Sequence, residues 1–276
     1  MVANNFAKRV QNPSFPEGAV IYRWLRGFLL LAPTFIVDRG EHPTRRPSIR
    51  VMLSLRAPFD IEFPNGSWLK TSAVMMSAEA QRRQIIAKDA GFALLDLAIS
   101  TPEYATLASL MTGRSVLPLE RGAFEALKPQ LELAGAGTIA PEQVRTLRRE
   151  VVHAIAGVYP EEAHYDPRVE TALRVIQQRR LEDVTLKTIA EAVYLSPDRL
   201  RHLFREQVGC TVSNYARTAA VWKALSARSV GKQLTELAHE AGFYDYSHFN
   251  HVFQEMFGFC PGMTQTTANV RVIACT

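Results

Sequence analysis

The chain has 276 residues, 47% of them hydrophobic, and a formal net charge of +5. That is enough apolar material for one large domain or two ordinary ones. Its longest strongly apolar stretch, Phe28–Val37, is broken by Pro33 and falls far short of the roughly 20 residues that span a bilayer.

Three widely separated cysteines, Cys210, Cys260 and Cys275, argue against a disulfide framework. The N-terminus lacks the basic start, apolar run and small-residue site of a signal peptide. Both features point to a cytoplasmic protein. The positive charge is spread along the chain, so any case for nucleic-acid binding rests on pattern rather than bulk charge.

The first hundred residues read as β-rich. Short apolar runs at Ile49–Leu55, Phe59–Phe63, Ala73–Met76 and Ala93–Ile99 alternate with turn signals such as Pro64-Asn65-Gly66. Closely spaced strands with turn chemistry predict a sandwich or barrel. Trp24, Arg23 and Arg50 fall on strands, with Trp24 read as core and the arginines as surface. From Pro102 the period changes to that of helices, over Pro102–Met111, Glu120–Leu133 and Pro141–Ala156. The last has Thr138 in its cap region and Pro141 in its first turn. Two readings stand for these helices, a dimer surface or a cover for the sheet. Gly135 and Gly137 read as a turn between them. Tyr159–Pro167 is the linker candidate.

The segment beyond is helical to about residue 265 and repeats itself. Leu186, Ile189, Ala190, Val193 and Leu195 match Leu234, Leu237, Ala238, Ala241 and Phe243 at an offset of 48. Leu200, Leu203, Phe204 and Gly209 match Phe249, Val252, Phe253 and Gly258 at 49, so the second turn is one residue longer. Each copy is a short helix, a tight turn and a second helix of about three turns. Ala190 and Ala238 are small where two helices cross. Ser196 with Pro197 caps the second helix of the first unit, Asp245 or Ser247 that of the second, and Gly209 and Gly258 end them. A helix-turn-helix has this geometry and lays its second helix in the major groove. The bland alternative is a plain helical bundle, which does not need two copies of such a unit.

These residues resemble the AraC/XylS family of regulators over Asp166–Thr264. The resemblance is carried by Leu195-Ser196-Pro197, Leu200, Leu203-Phe204, Gly209 and Tyr215. It is carried more specifically by Ala238, Gly242-Phe243, Asp245, Ser247, Phe249, Phe253, Gly258 and Pro261. The sequence departs from the family at Ala220 and Thr264, where arginines are usual, and at Met263, where an aromatic is usual. Those departures bear on DNA affinity rather than on fold.

The expected fold class is therefore α+β. Residues 1–160 form a β-rich sandwich or barrel with helices, which the resemblance implies is cupin-like, effector-binding and dimerising. Residues 165–265 form an all-α domain of two helix-turn-helix units.

The apolar positions of each second helix face the core, so their neighbours face out. These are Asp198, Arg199, Arg201, His202 and Arg205 in the first unit, and Tyr246, Ser247, His248, Asn250 and His251 in the second. The resemblance makes Asp198, Arg201, His202, Tyr246, Ser247, Asn250 and His251 base-facing. Arg201 suits guanine and Asn250 suits adenine. Arg199, Arg205 and Lys187 suit phosphates, with solvated charge as the alternative for each.

The implied partners are promoter DNA, a small-molecule effector, RNA polymerase if the protein activates, and a second copy of the chain. An alternative keeps DNA binding but makes the N-terminal half only a dimerisation or partner module. A third makes it an enzyme or carrier. Residues 1–152 hold one histidine, His42, and the chain shows no nucleophile elbow or phosphate loop, so neither an enzyme nor a cofactor is expected. His248 and His251, with Cys260 nearby, lack a fourth ligand at suitable spacing, and no metal is expected. Phe243, Phe249, Phe253 and Phe257 read as core.

Overall fold

The computed structural model describes residues 18–24, 27–38, 48–77, 80–98, 101–161, 165–227, 232–257, 261 and 270–275. His42, Gly258, Cys260, Met263 and Thr264, and part of the 159–167 linker, lie outside the described residues.

Among the described residues the N-terminal part has ten strands. They are β1 (Val20–Trp24), β2 (Gly27–Ala32), β3 (Phe35–Asp38), β4 (Ser48–Ser54), β5 (Phe59–Glu62), β6 (Trp68–Thr71), β7 (Ala73–Met76), β8 (Gln84–Ala87), β9 (Phe92–Ala98) and β10 (Val116–Pro118). An eleventh, β11 (Arg271–Ala274), comes from beyond the helical repeat. They form a seven-stranded sheet in the order β10-β7-β4-β9-β2-β1-β11 and a four-stranded sheet in the order β3-β8-β5-β6.

The two sheets face each other across a core fed by Ile21, Phe28, Leu30, Met52 and Leu94 from the large sheet and Phe35, Phe59, Ile61 and Ile85 from the small one. Phe92 stacks on Phe35, with ring centroids 4.7 Å apart, and meets Phe59 edge-on at 5.1 Å.

The outer face of the large sheet is covered by α1 (Pro102–Ala108), α2 (Lys128–Gly135) and α3 (Pro141–Ala156). Tyr22, Leu29, Val51 and Leu95 pack there against Leu107, Leu131, Leu147 and Val151. The large sheet is thus buried on both faces, which is why β2 is an apolar run rather than an alternation. Tyr22 is fully buried, and its hydroxyl donates to the Ala134 carbonyl at 3.1 Å.

Three local expectations are corrected. Glu120–Leu133 is not one helix. A 3-10 segment (Arg121–Leu127) leads into α2, whose first residues include Pro129. Thr138 does not cap α3. Its hydroxyl donates to the Leu133 carbonyl at 2.9 Å, and the Gln143 side chain accepts from the Ala140 amide at 2.8 Å instead.

Arg50 is not on the surface but 4% exposed. It sits in register with Asp96 between two sheet neighbours and donates to the Ser77 carbonyl at 3.0 Å. Asp96 in turn accepts from the Ser48 hydroxyl at 2.9 Å. Strand alternation puts Arg50 on the inward face with Met52, and these partners offset the cost of burying the charge.

The remaining helices are α4 (Pro167–Gln178), α5 (Leu186–Ala192), α6 (Pro197–Val208), α7 (Val212–Ser226), α8 (Leu234–Glu240) and α9 (Tyr246–Phe257). Val169, Ile189, Leu200, Leu203 and Phe204 build one core around α4–α6. The core of α8 and α9 runs through α7 into the interior of the β-sandwich, with Trp222 and Phe28 ring centroids 5.5 Å apart. Beyond the expected repeat, β11 returns to the large sheet and pairs in parallel with β1, Val20 opposite Arg271 through Arg23 opposite Ala274.

Candidate nucleic-acid interface

The two units repeat in backbone as well as in sequence. The Leu195 amide donates to the Ala190 carbonyl at 2.9 Å, and the Phe243 amide donates to the Ala238 carbonyl at 3.0 Å. These bonds lie 48 residues apart, and each closes the turn after a short helix. The residue before each donor is left-handed, Tyr194 at φ +55° and Gly242 at φ +87°. Ala190 and Ala238 are 1% and 0% exposed, which lets the helices of each unit approach closely.

Side-chain caps set where the second helices start. The Ser196 hydroxyl accepts from the Arg199 amide at 3.2 Å, at the position where Pro197 leaves no amide of its own to satisfy. In the second unit the Asp245 carboxylate, not Ser247, accepts from the His248 amide at 2.7 Å. Gly209 ends α6 in a left-handed conformation at φ +72°.

On α6 the buried side chains are Leu200, Leu203, Phe204 and Val208. Asp198, Arg199, Arg201, His202 and Arg205 are all exposed on the other side, so the structure brings the whole expected set of the first unit together. Arg201 reaches back to Asp198 at 2.5 Å across one turn. Both are solvated, and such a pair is worth at most about 1 kcal/mol, so it holds the guanidinium only loosely. Lys187 is also exposed, on α5.

The α9 set is placed less uniformly. Ser247 and His251 are exposed, and His251 lies 3.6 Å from Glu255. Tyr246 is partly buried with its ring against Phe249, at 6.3 Å between centroids. His248 is partly buried and meets Phe243 edge-on at 5.3 Å. Asn250 is also partly buried, and its Oδ1 has no donor among the described residues. A two-bond contact from an asparagine to adenine uses both amide atoms, and this arrangement does not present the Asn250 Oδ1 for one. Phe243, Phe249 and Phe253 are core as expected; the side chain of Phe257 lies outside the described residues.

The two faces differ in charge. That of α6 carries three guanidinium groups, whereas the set on α9 carries no lysine or arginine. The first suits a phosphate-rich approach, the second contacts through neutral donors and acceptors.

Sequence reasoning did not single out Tyr194 and Tyr244, 95% and 90% exposed in the two turns. Tyr194 is itself the left-handed residue of its turn, and Tyr244 lies two residues beyond Gly242 in the other. The structure also ties the units together. The Leu181 amide donates to the Ala241 carbonyl at 3.1 Å, and Arg180 donates to the His239 carbonyl at 2.9 Å. Ala220, at the position of one departed arginine, is 5% exposed and part of the α7 core.

Residues 189–267 match the family model described as a helix-turn-helix domain. The chain is similar to the arabinose operon regulatory protein of Escherichia coli (strain K12), 30% identical over 98 residues, covering 35% of this chain and 34% of that protein. It is similar to the XylDLEGF operon transcriptional activator of Pseudomonas putida, 26% identical over 140 residues, covering 49% of this chain and 42% of that protein. The match therefore spans well under half the length of these relatives. Among solved structures it is similar to ToxT from Vibrio cholerae O395, at 11% identity and a TM-score of 0.49, covering 85% of this chain and 98% of that one.

Proposed function

We propose that this chain, whose C-terminal region is a double helix-turn-helix domain of the AraC/XylS type, is a sequence-specific DNA-binding transcription regulator controlled by a small molecule acting on its N-terminal domain. The observation that carries the reading is the pair of turns closed by equivalent hydrogen bonds 48 residues apart, each followed by a capped helix with polar residues on its free face. Two such helices on one protomer suit two short boxes about 10 base pairs apart on one face of the duplex.

Arg201 and Asn250 are the foremost base readers, one in each box, with Asp198, His202, Tyr246, Ser247 and His251 beside them. Arg199 and Arg205 hold phosphates. A second copy of the chain would double the site, and activation would act on RNA polymerase. Among the described residues no helix is long and apolar enough to cross a membrane, and the reading places the protein in the cytoplasm.

The test is selection of sites from random duplex DNA by the intact protein, by Arg201→Ala and by Asn250→Ala. Two boxes one helical turn apart, each losing its preference in a different variant, are expected. Enrichment of nothing in low salt, or equal loss of both boxes in each variant, overturns the assignment.

A further inference from the structure

Two tyrosines stand clear of the protein beside the two second helices. Tyr194 is 95% exposed and Tyr244 90%, and among the described residues the next most exposed large hydrophobic side chain is Val158, at 58%. A single exposed aromatic needs no explanation. Two of them, each at the start of the second helix of a repeated unit, call for one.

The sequence reaches this placement by two routes. In the first unit Tyr194 comes just before Leu195, whose amide closes the turn, and two residues before the Ser196 cap. In the second unit Tyr244 comes just after Phe243, whose amide closes the turn, and just before the Asp245 cap. Tyr244 is the one residue by which the second turn exceeds the first. Residue type and place recur although the register does not, so the packing that the two units share does not account for them.

The backbone at Tyr194 adds a second observation. A φ of +55° is rare for a side chain of this size. Hydrogen bonds on both sides fix that state, from the Tyr194 amide to the Glu191 carbonyl at 3.2 Å and from the Leu195 amide to the Ala190 carbonyl at 2.9 Å. The turn thus holds the ring out in water at a local conformational cost that burial does not offset.

Docking geometry names the partner. In a helix-turn-helix the first helix crosses the DNA backbone and the N-terminal end of the second meets base edges. The turn between them therefore passes over the rim of the groove, where sugar and phosphate lie. A phenol suits that surface, with an apolar ring for the sugar and a hydroxyl donor for a phosphate oxygen. The contact matters most in the second unit, because α9 carries no lysine or arginine.

We propose that Tyr194 and Tyr244 are backbone contacts, one beside each box, whose hydroxyls donate to phosphate oxygens. The assignment rests on the regulator reading above. It differs from the arginine contacts in one measurable way. A neutral donor releases no counterion, so its loss weakens binding by the same factor at every salt concentration.

The experiment uses the full chain and the duplex that the intact protein recovers by site selection. Tyr194→Phe and Tyr244→Phe remove one hydroxyl each and keep the ring. Each is expected to weaken binding about threefold to tenfold, equally at about 50 and about 200 mM salt, with the selected sequence unchanged. Ethylation of phosphates on the same duplex should stop interfering at one position in each variant, the two positions being about 10 base pairs apart. Unchanged affinity in either phenylalanine variant overturns the contact for that unit. A changed sequence preference or a changed salt slope also overturns it, because the side chain then acts on bases or through charge. An intact protein that enriches no sequence overturns the regulator reading and this contact with it. An intact protein that binds its site while both variants match it overturns the contact alone.

Discussion

Gly242 offers a quantitative test of the repeat. Its φ of +87° is left-handed, and a Cβ added there would lie 2.5 Å from the Leu181 amide nitrogen and 3.0 Å from Arg180 Cβ. The Leu181 amide is held by the Ala241 carbonyl, so the obstruction is fixed backbone rather than the end of a flexible side chain. The left-handed conformation costs an alanine about 1 kcal/mol, and the overlap about 1–3 kcal/mol more, for a total of about 2–4 kcal/mol. The effect should fall on the α8–α9 unit and its seam with α4–α6. Amide hydrogen exchange reads it directly, with α8 and α9 amides opening about 30-fold to 1000-fold more readily in Gly242→Ala. The matched control is Tyr194→Ala, at the same turn position in the first unit. Tyr194 is left-handed and 95% exposed, so that change stays within about 0.5 kcal/mol. Equal protection in Gly242→Ala and the parent would refute the reasoning, and so would equal losses in the two variants.

Further outcomes follow from single contacts. Glu103→Ala leaves Arg148 in a largely buried site without its carboxylate and should destabilise the protein by about 3–5 kcal/mol, read from urea midpoints; a loss below about 1 kcal/mol would show the pair to be solvated. Arg199→Ala and Arg205→Ala should each reduce the salt slope of DNA binding by about 1 without changing which sequences are selected. Asp166, the N-cap of α4, has its carboxyl pulled down to about 2, chiefly by the hydrogen bond from the Arg168 side chain. Its folded pKa lies below its unfolded value near 4, so its stabilisation is full above about pH 4 and is lost as pH falls toward 2. Acid unfolding of Asp166→Asn should accordingly lose part of its pH dependence in that window, and an unchanged acid limb would count against the pairing.

The readable parts of the sequence were those where chemistry is local. Ser196-Pro197, Asp245 and Gly209 act within a turn of their own position, and the structure finds each of them capping or closing its helix. The 48-residue repeat was visible because both units solve one packing problem with the same apolar spacing. Arg50 was misread because residue type was weighed over strand parity, and its compensating partners Asp96 and Ser77 are remote in sequence. On α9, identity alone did not show that Tyr246, His248 and Asn250 lean toward the core, since a twelve-residue helix with Phe249 and Phe253 inward leaves its flanks half covered. The cavity between α1–α3 and α4–α7 was not legible at all. Arg23, Glu103, Arg148 and Lys223 come from four separate elements, and only the docking of α7 on the sheet brings them to one cavity.

The pairing of β11 with β1 changes how the reading helices can move. A domain hung on one linker explores a sphere whose radius grows with linker length. Here the segment carrying α4–α9 leaves the β-domain after α3 and rejoins it at β11, so the chain holds it at both ends in addition to the packing of α7 on the sandwich. Closing a chain into such a loop removes configurational freedom in advance, so the helices stay at high effective concentration near the β-domain. Packing of α7 against the sandwich interior restricts them further. On the function proposed above, a signal from the β-domain would reach DNA as a small change in how α6 and α9 are presented, not as their release.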